Sequence, residues 1–142
     1  MPIRYTIDDG RRLVVARGEG VFTEQEVFDY QNEVWSRPEV AGYDELIDMT
    51  AVTEIRMPSP TRGRLKQLAW LSARMDHAGA TSKSAIVAPG NLAFGLGRMY
   101  EAYRNMERDG NKRVEVFRSE EGALKFLGIA EIPEEKQNDG PG

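Results

Sequence analysis

Cysteine is absent from this 142-residue chain, and histidine occurs once, at His77. Without cysteine there is no disulfide framework, no thiolate zinc site and no cysteine nucleophile. A lone histidine supplies no metal site, and no Ser/His/Asp set is readable around His77, which reads as a surface residue. No apolar run approaches the ~18 residues of a membrane span. The N-terminus lacks the basic segment and apolar stretch of a secretory signal, so a cytoplasmic protein is expected. Neither sign of charge dominates: 19 Lys and Arg against 23 Asp and Glu leave a net −4. That balance argues against nonspecific nucleic-acid binding, which needs clustered cations to neutralise phosphates.

What remains is ordinary globular material. Hydrophobic residues at 40% can build a core and charged residues at 30% can keep it in solution. Ile3, Tyr5 and Ile7 alternate with polar residues, the period of a half-buried strand. Asp9-Gly10 reads as a two-residue hairpin turn with positive φ, returning the chain into a second strand over Leu13-Val14-Val15-Ala16. Thr23-Glu24-Gln25-Glu26 is a capping box, with Phe22 and Val27 placed as a hydrophobic staple. Val27, Tyr30, Val34 and Trp35 continue that helix until Pro38 stops it.

Leu46-Ile47-Asp48-Met49 predicts a short buried strand, followed by a loop with Pro58 and Pro60. A second helix follows on Leu65, Leu68, Leu71 and Met75. Ser84 to Ala88 predicts a strand stopped by Pro89-Gly90. Leu92, Leu96, Met99, Tyr103 and Met106 predict the buried stripe of a third helix, closed by Asp109-Gly110. Arg113 to Phe117 predicts the last strand, and Ser119 caps a short final helix that Gly128 ends. The order ββαβαβαβα implies an α/β fold, a mostly parallel sheet opened by an antiparallel hairpin, with helices packed on it. One domain is expected over residues 1–128, with 129–142 as a polar, flexible tail.

Four stretches carry a resemblance. They are Ile7-Asp8-Asp9-Gly10 through Val14; Leu46 to Val52; Phe94-Gly95-Leu96-Gly97-Arg98-Met99-Tyr100-Glu101; and Val116 through Leu124. In that order they resemble the STAS domain (sulfate transporter and anti-sigma-factor antagonist), and within it the SpoIIAA-like, or STAS/SEC14-type, bacterial proteins. The resemblance implies the SpoIIAA-like fold. In the anti-sigma antagonists it also implies a partner switch through a phosphorylated Ser in a hydrophobic-Asp-Ser-Ser-Gly segment. This chain has Ile55-Arg56-Met57-Pro58-Ser59-Pro60 there instead. Ser59 and Thr61 remain as helix caps, and phosphorylation at either is not expected.

Two surfaces stand out. On the second helix Lys66, Trp70, Ala73 and His77 fall opposite the leucine stripe with Arg74 beside them, a candidate interface to which Tyr100 is added. Aromatic and Arg side chains anchor interfaces, and cations stack on indole. The other surface is the carboxyl edge of the parallel strands, where ligands gather in open α/β sheets. Asp48, Thr50, Gly90, Asn91 and Phe94 would lie there, with helix N–H groups facing an anion. No phosphate-loop lysine or dinucleotide glycine pattern accompanies them, and no carboxylate pair suggests general acid–base chemistry. The chain is therefore expected to need no cofactor and no metal, and not to be an enzyme. It is expected to be a noncatalytic interaction or regulatory module acting on a protein partner or as a homodimer. The alternative is a carrier of a small anionic ligand or lipid, which requires a cavity.

Overall fold

In the computed structural model, which describes residues 3–57, 61–76, 81–107 and 110–133, with backbone alone at 61 and 62, the alternating N-terminal segment forms β1 (Arg4–Asp8). It pairs antiparallel with β2 (Leu13–Thr23), Asp8 opposite Leu13. Asp9-Gly10 does turn the chain, but the turn spans Asp9 to Arg12 and is not a two-residue hairpin. Its left-handed residue is Arg12, at φ 53°, while Asp9 and Gly10 stay out of that region. The cause is local hydrogen bonding. Asp8 Oδ1 accepts the Arg11 N–H at 3.0 Å, the Asx pattern that competes with a tighter turn. Tyr43 then donates to Asp9 at 2.7 Å while Arg12 lies over its ring.

The capping box holds as read. Thr23 Oγ1 accepts from Glu26 N at 3.3 Å and Glu26 Oε2 from Thr23 N at 3.4 Å, opening α1 (Glu24–Val34). Pro38 starts a single 3-10 turn (Pro38–Val40) that leads into β3 (Asp44–Arg56). Then come α2 (Thr61–Arg74), β4 (Ser82–Val87), α3 (Asn91–Asn105), β5 (Lys112–Phe117) and α4 (Glu120–Leu127). Ser119 Oγ accepts from Gly122 N, and Gly128 closes α4 at φ 76°, where a side chain would be strained.

The sheet order is β1-β2-β3-β4-β5, parallel from β2 onward. Strand order thus follows chain order and nowhere reverses. β2 and β3 outrun their neighbours: they stay paired to Thr23 and Arg56, whereas β3 leaves β4 at Asp48 opposite Val87. Both are much longer than the short strands read from their apolar cores, because their far halves are amphipathic and pair only with each other.

The core stretches of β2, β3 and β4 are buried on both faces, which explains runs such as Leu13-Val14-Val15-Ala16. Leu13, Val15, Leu46, Ala85 and Val87 point to the face covered by α4, through Ala123 and Leu127. Ile129 and Ile132 pack on the same cluster, so apolar contacts continue past the boundary expected at Gly128. Val14 and Ala16 meet α1 on the opposite face, and Ile86, Val114 and Val116 meet α3 there. Each large side chain buried this way contributes about 1.5–3 kcal/mol.

The stripe expected on α3 is not the buried one. Leu92 and Met106 are 61% and 70% exposed, whereas Ala93, Gly97 and Arg104 are buried. Small residues win that face because α3 lies close on β5: a Cβ on Gly97 would sit 2.8 Å from Val116 Cγ2. On α2 likewise, Ala73 is buried and not on the outer face with Trp70. Ser59, Pro58, Pro60, His77, Asp109 and residues 134–142 lie outside the described residues, as does the Thr61 side chain.

Candidate functional site

α2 packs mainly on α3 and touches the sheet little. Beneath it lies a partly open apolar cavity of about 90 Å³. Ala16, Ile47 and Ile86 form its floor, Val27 and Leu96 stand at its sides, and Leu65 and Leu68 hang from α2 above.

One end of this cavity is polar, formed by Tyr30, Gln31, Glu45 and Tyr100. Glu45, only 7% exposed, is the hub. Its Oε2 accepts from Tyr30 Oη at 2.6 Å and Trp35 Nε1 at 2.9 Å, and its Oε1 from Ser84 Oγ at 2.7 Å. Burial pushes the Tyr30 phenol well above its ordinary value, and the Glu45 carboxylate adds to the shift. Behind Tyr100 lies a second buried pair. Arg104 donates to both oxygens of Asp76 at 2.8 Å, with the two side chains 2% and 4% exposed. Burial opposes the Arg104 charge, but the Asp76 hydrogen bonds and charge together with the Tyr100 phenol outweigh it and raise its affinity for the proton. Asp76 also accepts from the backbone N–H groups of Asn111 and Lys112. Tyr100 Oη bridges Ser72 Oγ at 2.7 Å and Arg104 Nε at 3.3 Å.

Gln31 is the poorly matched member. It is 8% exposed, and its amide nitrogen donates only to the thioether of Met75 at 3.3 Å, a weak acceptor. Among the described residues nothing donates to its side-chain oxygen.

The carboxyl edge read from the sequence divides into two unconnected groups. Asp48 accepts from Arg17 at 3.3 Å and from Thr50 Oγ1 and N at 2.7 and 3.0 Å, so its oxygens are occupied. Asn91 instead accepts from Arg118 at 2.6 Å, and Arg118 lies 4.1 Å over the Phe94 ring. Gly90 caps α3 through its backbone alone. Because strand order never reverses, no switch-point crevice forms between these groups.

Of the interface residues, Lys66 is exposed and Trp70 is 53% exposed with Arg74 4.7 Å above its ring. Tyr100 does not belong with them. It points into the cavity's polar end, because it shares the inner face of α3 with Ala93, Gly97 and Arg104.

Sequence reasoning passed over Glu45, Gln31, Asp76, Arg104 and Lys112. A signal existed in two of them. Glu45 interrupts an apolar strand beside Leu46, and Arg104 continues the 93–97–100 spacing of small and aromatic residues.

Among the described residues, no group of three or more His, Cys, Asp or Glu could hold a metal ion. No helix there is long and apolar enough to cross a membrane. No protein-family model matches the chain, and no curated protein matches it. Among solved structures it is similar to an uncharacterized protein of the DUF3478 family with a SpoIIAA-like fold, from Shewanella loihica PV-4. The TM-score is 0.53 at 16% identity, covering 89% of this chain and 93% of that one. At that identity the likeness is one of fold, and the fold is SpoIIAA-like, as the sequence resemblance implied.

Proposed function

We propose that this protein is a noncatalytic binding module that takes a small, mainly apolar ligand into the cavity beneath α2. One observation carries the reading: an apolar cavity ends at Gln31, whose amide nitrogen donates to a thioether and whose side-chain oxygen accepts from no group among the described residues. A ligand bringing one hydroxyl or amide N–H would give the Gln31 oxygen a donor, a bond contributing about 0.5–1.5 kcal/mol. A void of about 90 Å³ is smaller than the ~150 Å³ cavity that admits benzene. The ligand is therefore small, or α2 shifts to admit it, which its loose seat on the sheet favours. Nothing in this reading requires an anionic head group at Gly90 and Asn91.

Native mass spectrometry of the protein isolated from its own cells tests the proposal. A stoichiometric small molecule, lost from the Leu68→Trp variant, is the expected result. Bare protein from every preparation speaks against it.

A second reading, contact with a protein partner or a second copy, is favoured by the exposed Trp70–Arg74 platform. Trp70→Ala would then weaken self-association without loss of fold. A sedimentation profile that stays monomeric at high micromolar concentration excludes the homodimer.

A further inference from the structure

A second cleft, of about 200 Å³, opens between the 3-10 turn and the starts of β4 and β5. Trp35, Pro38, Gly42, Asp76, Ser82 and Lys112 line it. The Lys112 Nζ lies 3.2 Å from the centroid of the Trp35 ring. Cation–π attraction holds an ammonium there but gives it no hydrogen-bond acceptor. Among the described residues no oxygen accepts from this ammonium.

The two buried carboxylates nearby are committed elsewhere. Glu45 serves Tyr30, Trp35 and Ser84. Asp76 serves Arg104 twice and the N–H groups of Asn111 and Lys112. That last bond fixes the Lys112 backbone and aims its side chain along the cleft wall.

We propose that Lys112 is a carbonyl-capturing amine, whose Nζ condenses in this cleft with a small aldehyde or ketone to form an imine. The surroundings suit the step. Burial pushes the Lys112 ammonium below its ordinary value, with Glu45, Asp76 and Asp44 opposing and Arg104 adding to the fall. Desolvated lysines become nucleophiles in this way. The neutral amine adds through its lone pair to the carbonyl carbon, giving a carbinolamine. The carbonyl oxygen then leaves as water with the two amine protons, and a C=N bond replaces C=O. Capture is reversible by hydrolysis and needs no other reactant. The cleft volume suits a carbonyl compound of a few carbons. This inference does not depend on the apolar cavity, and its test reads a different residue.

The test treats the full-length protein with propanal and cyanoborohydride at neutral pH, so that any imine is trapped as a propylamine. Peptide mass mapping then follows each lysine with time. The exposed Lys66, Lys83 and Lys125 are internal references. A lowered pKa raises the neutral, nucleophilic fraction of the amine, so Lys112 is expected to label faster than these three. Lys112→Gln should remove the fast site and leave the slow ones unchanged. Labelling of Lys112 at or below the rate of Lys66, Lys83 and Lys125 in the unaltered protein overturns the proposal, whether or not the variant folds.

Discussion

Replacing Glu45 by Ala removes one carboxylate from the centre of the molecule and strands the groups that depend on it. Trp35 Nε1 keeps a second acceptor, Tyr30 Oη at 3.1 Å. Tyr30 and Ser84 lose the acceptors they reach at 2.6 and 2.7 Å. Each buried hydroxyl left without a partner costs about 1–3 kcal/mol. The Lys112 charge also loses a balancing anion, and breaking a buried set of this kind, the stranded hydroxyls included, costs about 3–5 kcal/mol in all. We therefore expect Glu45→Ala to lose about 3–5 kcal/mol. Glu45→Gln keeps one acceptor oxygen but gives up the charge, and should lose about half as much. Urea unfolding followed by circular dichroism measures both. With a urea slope of about 1–3 kcal/mol/M for a small domain, the Ala variant should unfold about 2 M earlier. A loss under about 1 kcal/mol would refute the reasoning, because it would mean that the donors find other partners at no cost.

Three further outcomes follow from single features. Gly97→Ala should destabilise by about 1–3 kcal/mol, since its Cβ would meet Val116 at 2.8 Å, whereas Gly95→Ala, with open space around it, should stabilise by about 0.5–1 kcal/mol; thermal melts of the pair separate packing from helix propensity. Tyr30 holds its proton more tightly when folded, so the unfolded chain binds fewer protons above pH 10 and stability must fall as pH rises past that value. Tyr30→Phe should flatten the alkaline limb of a stability–pH curve, and an unchanged limb would contradict the assignment. Leu68→Ala enlarges the cavity under α2 and should cost about 2–5 kcal/mol, part of it recovered on adding a small apolar compound in a thermal-shift assay.

Local chemistry was the legible part of this sequence. The capping box at Thr23, the Ser119 cap and the Gly128 stop act within a few residues and could be read directly. The order of elements along the chain followed from alternation and apolar runs, while their order in the sheet did not. The α3 stripe misled because counting large side chains assumes that a helix buries them; here Ala93 and Gly97 let the backbone come close, leaving Leu92 and Met106 outside. The polar end of the cavity was less accessible still. Glu45 meets Tyr30 across 15 residues and Ser84 across 39, and Asp76 meets Arg104 across 28. Such pairings are set by sheet register and helix placement, so no window along the chain contains both partners. Asp48 stands opposite the end of β4 at Val87 and Asn91 follows that strand, as their place in the sequence suggested, but Arg17 and Arg118 bind them and divide them into separate groups.

Titrating propan-1-ol into isotopically labelled protein while following backbone amide shifts tests the cavity most directly, since it offers a short apolar chain, smaller than benzene, and one hydroxyl for the Gln31 oxygen. The account predicts saturable shifts centred on Gln31, Ile47, Ile86 and Gly97, which line the cavity from three sides. It also predicts their loss in Ala93→Leu, where a larger side chain occupies the space. Shifts confined to exposed residues such as Trp70, or cavity shifts that persist unchanged in Ala93→Leu, would contradict it.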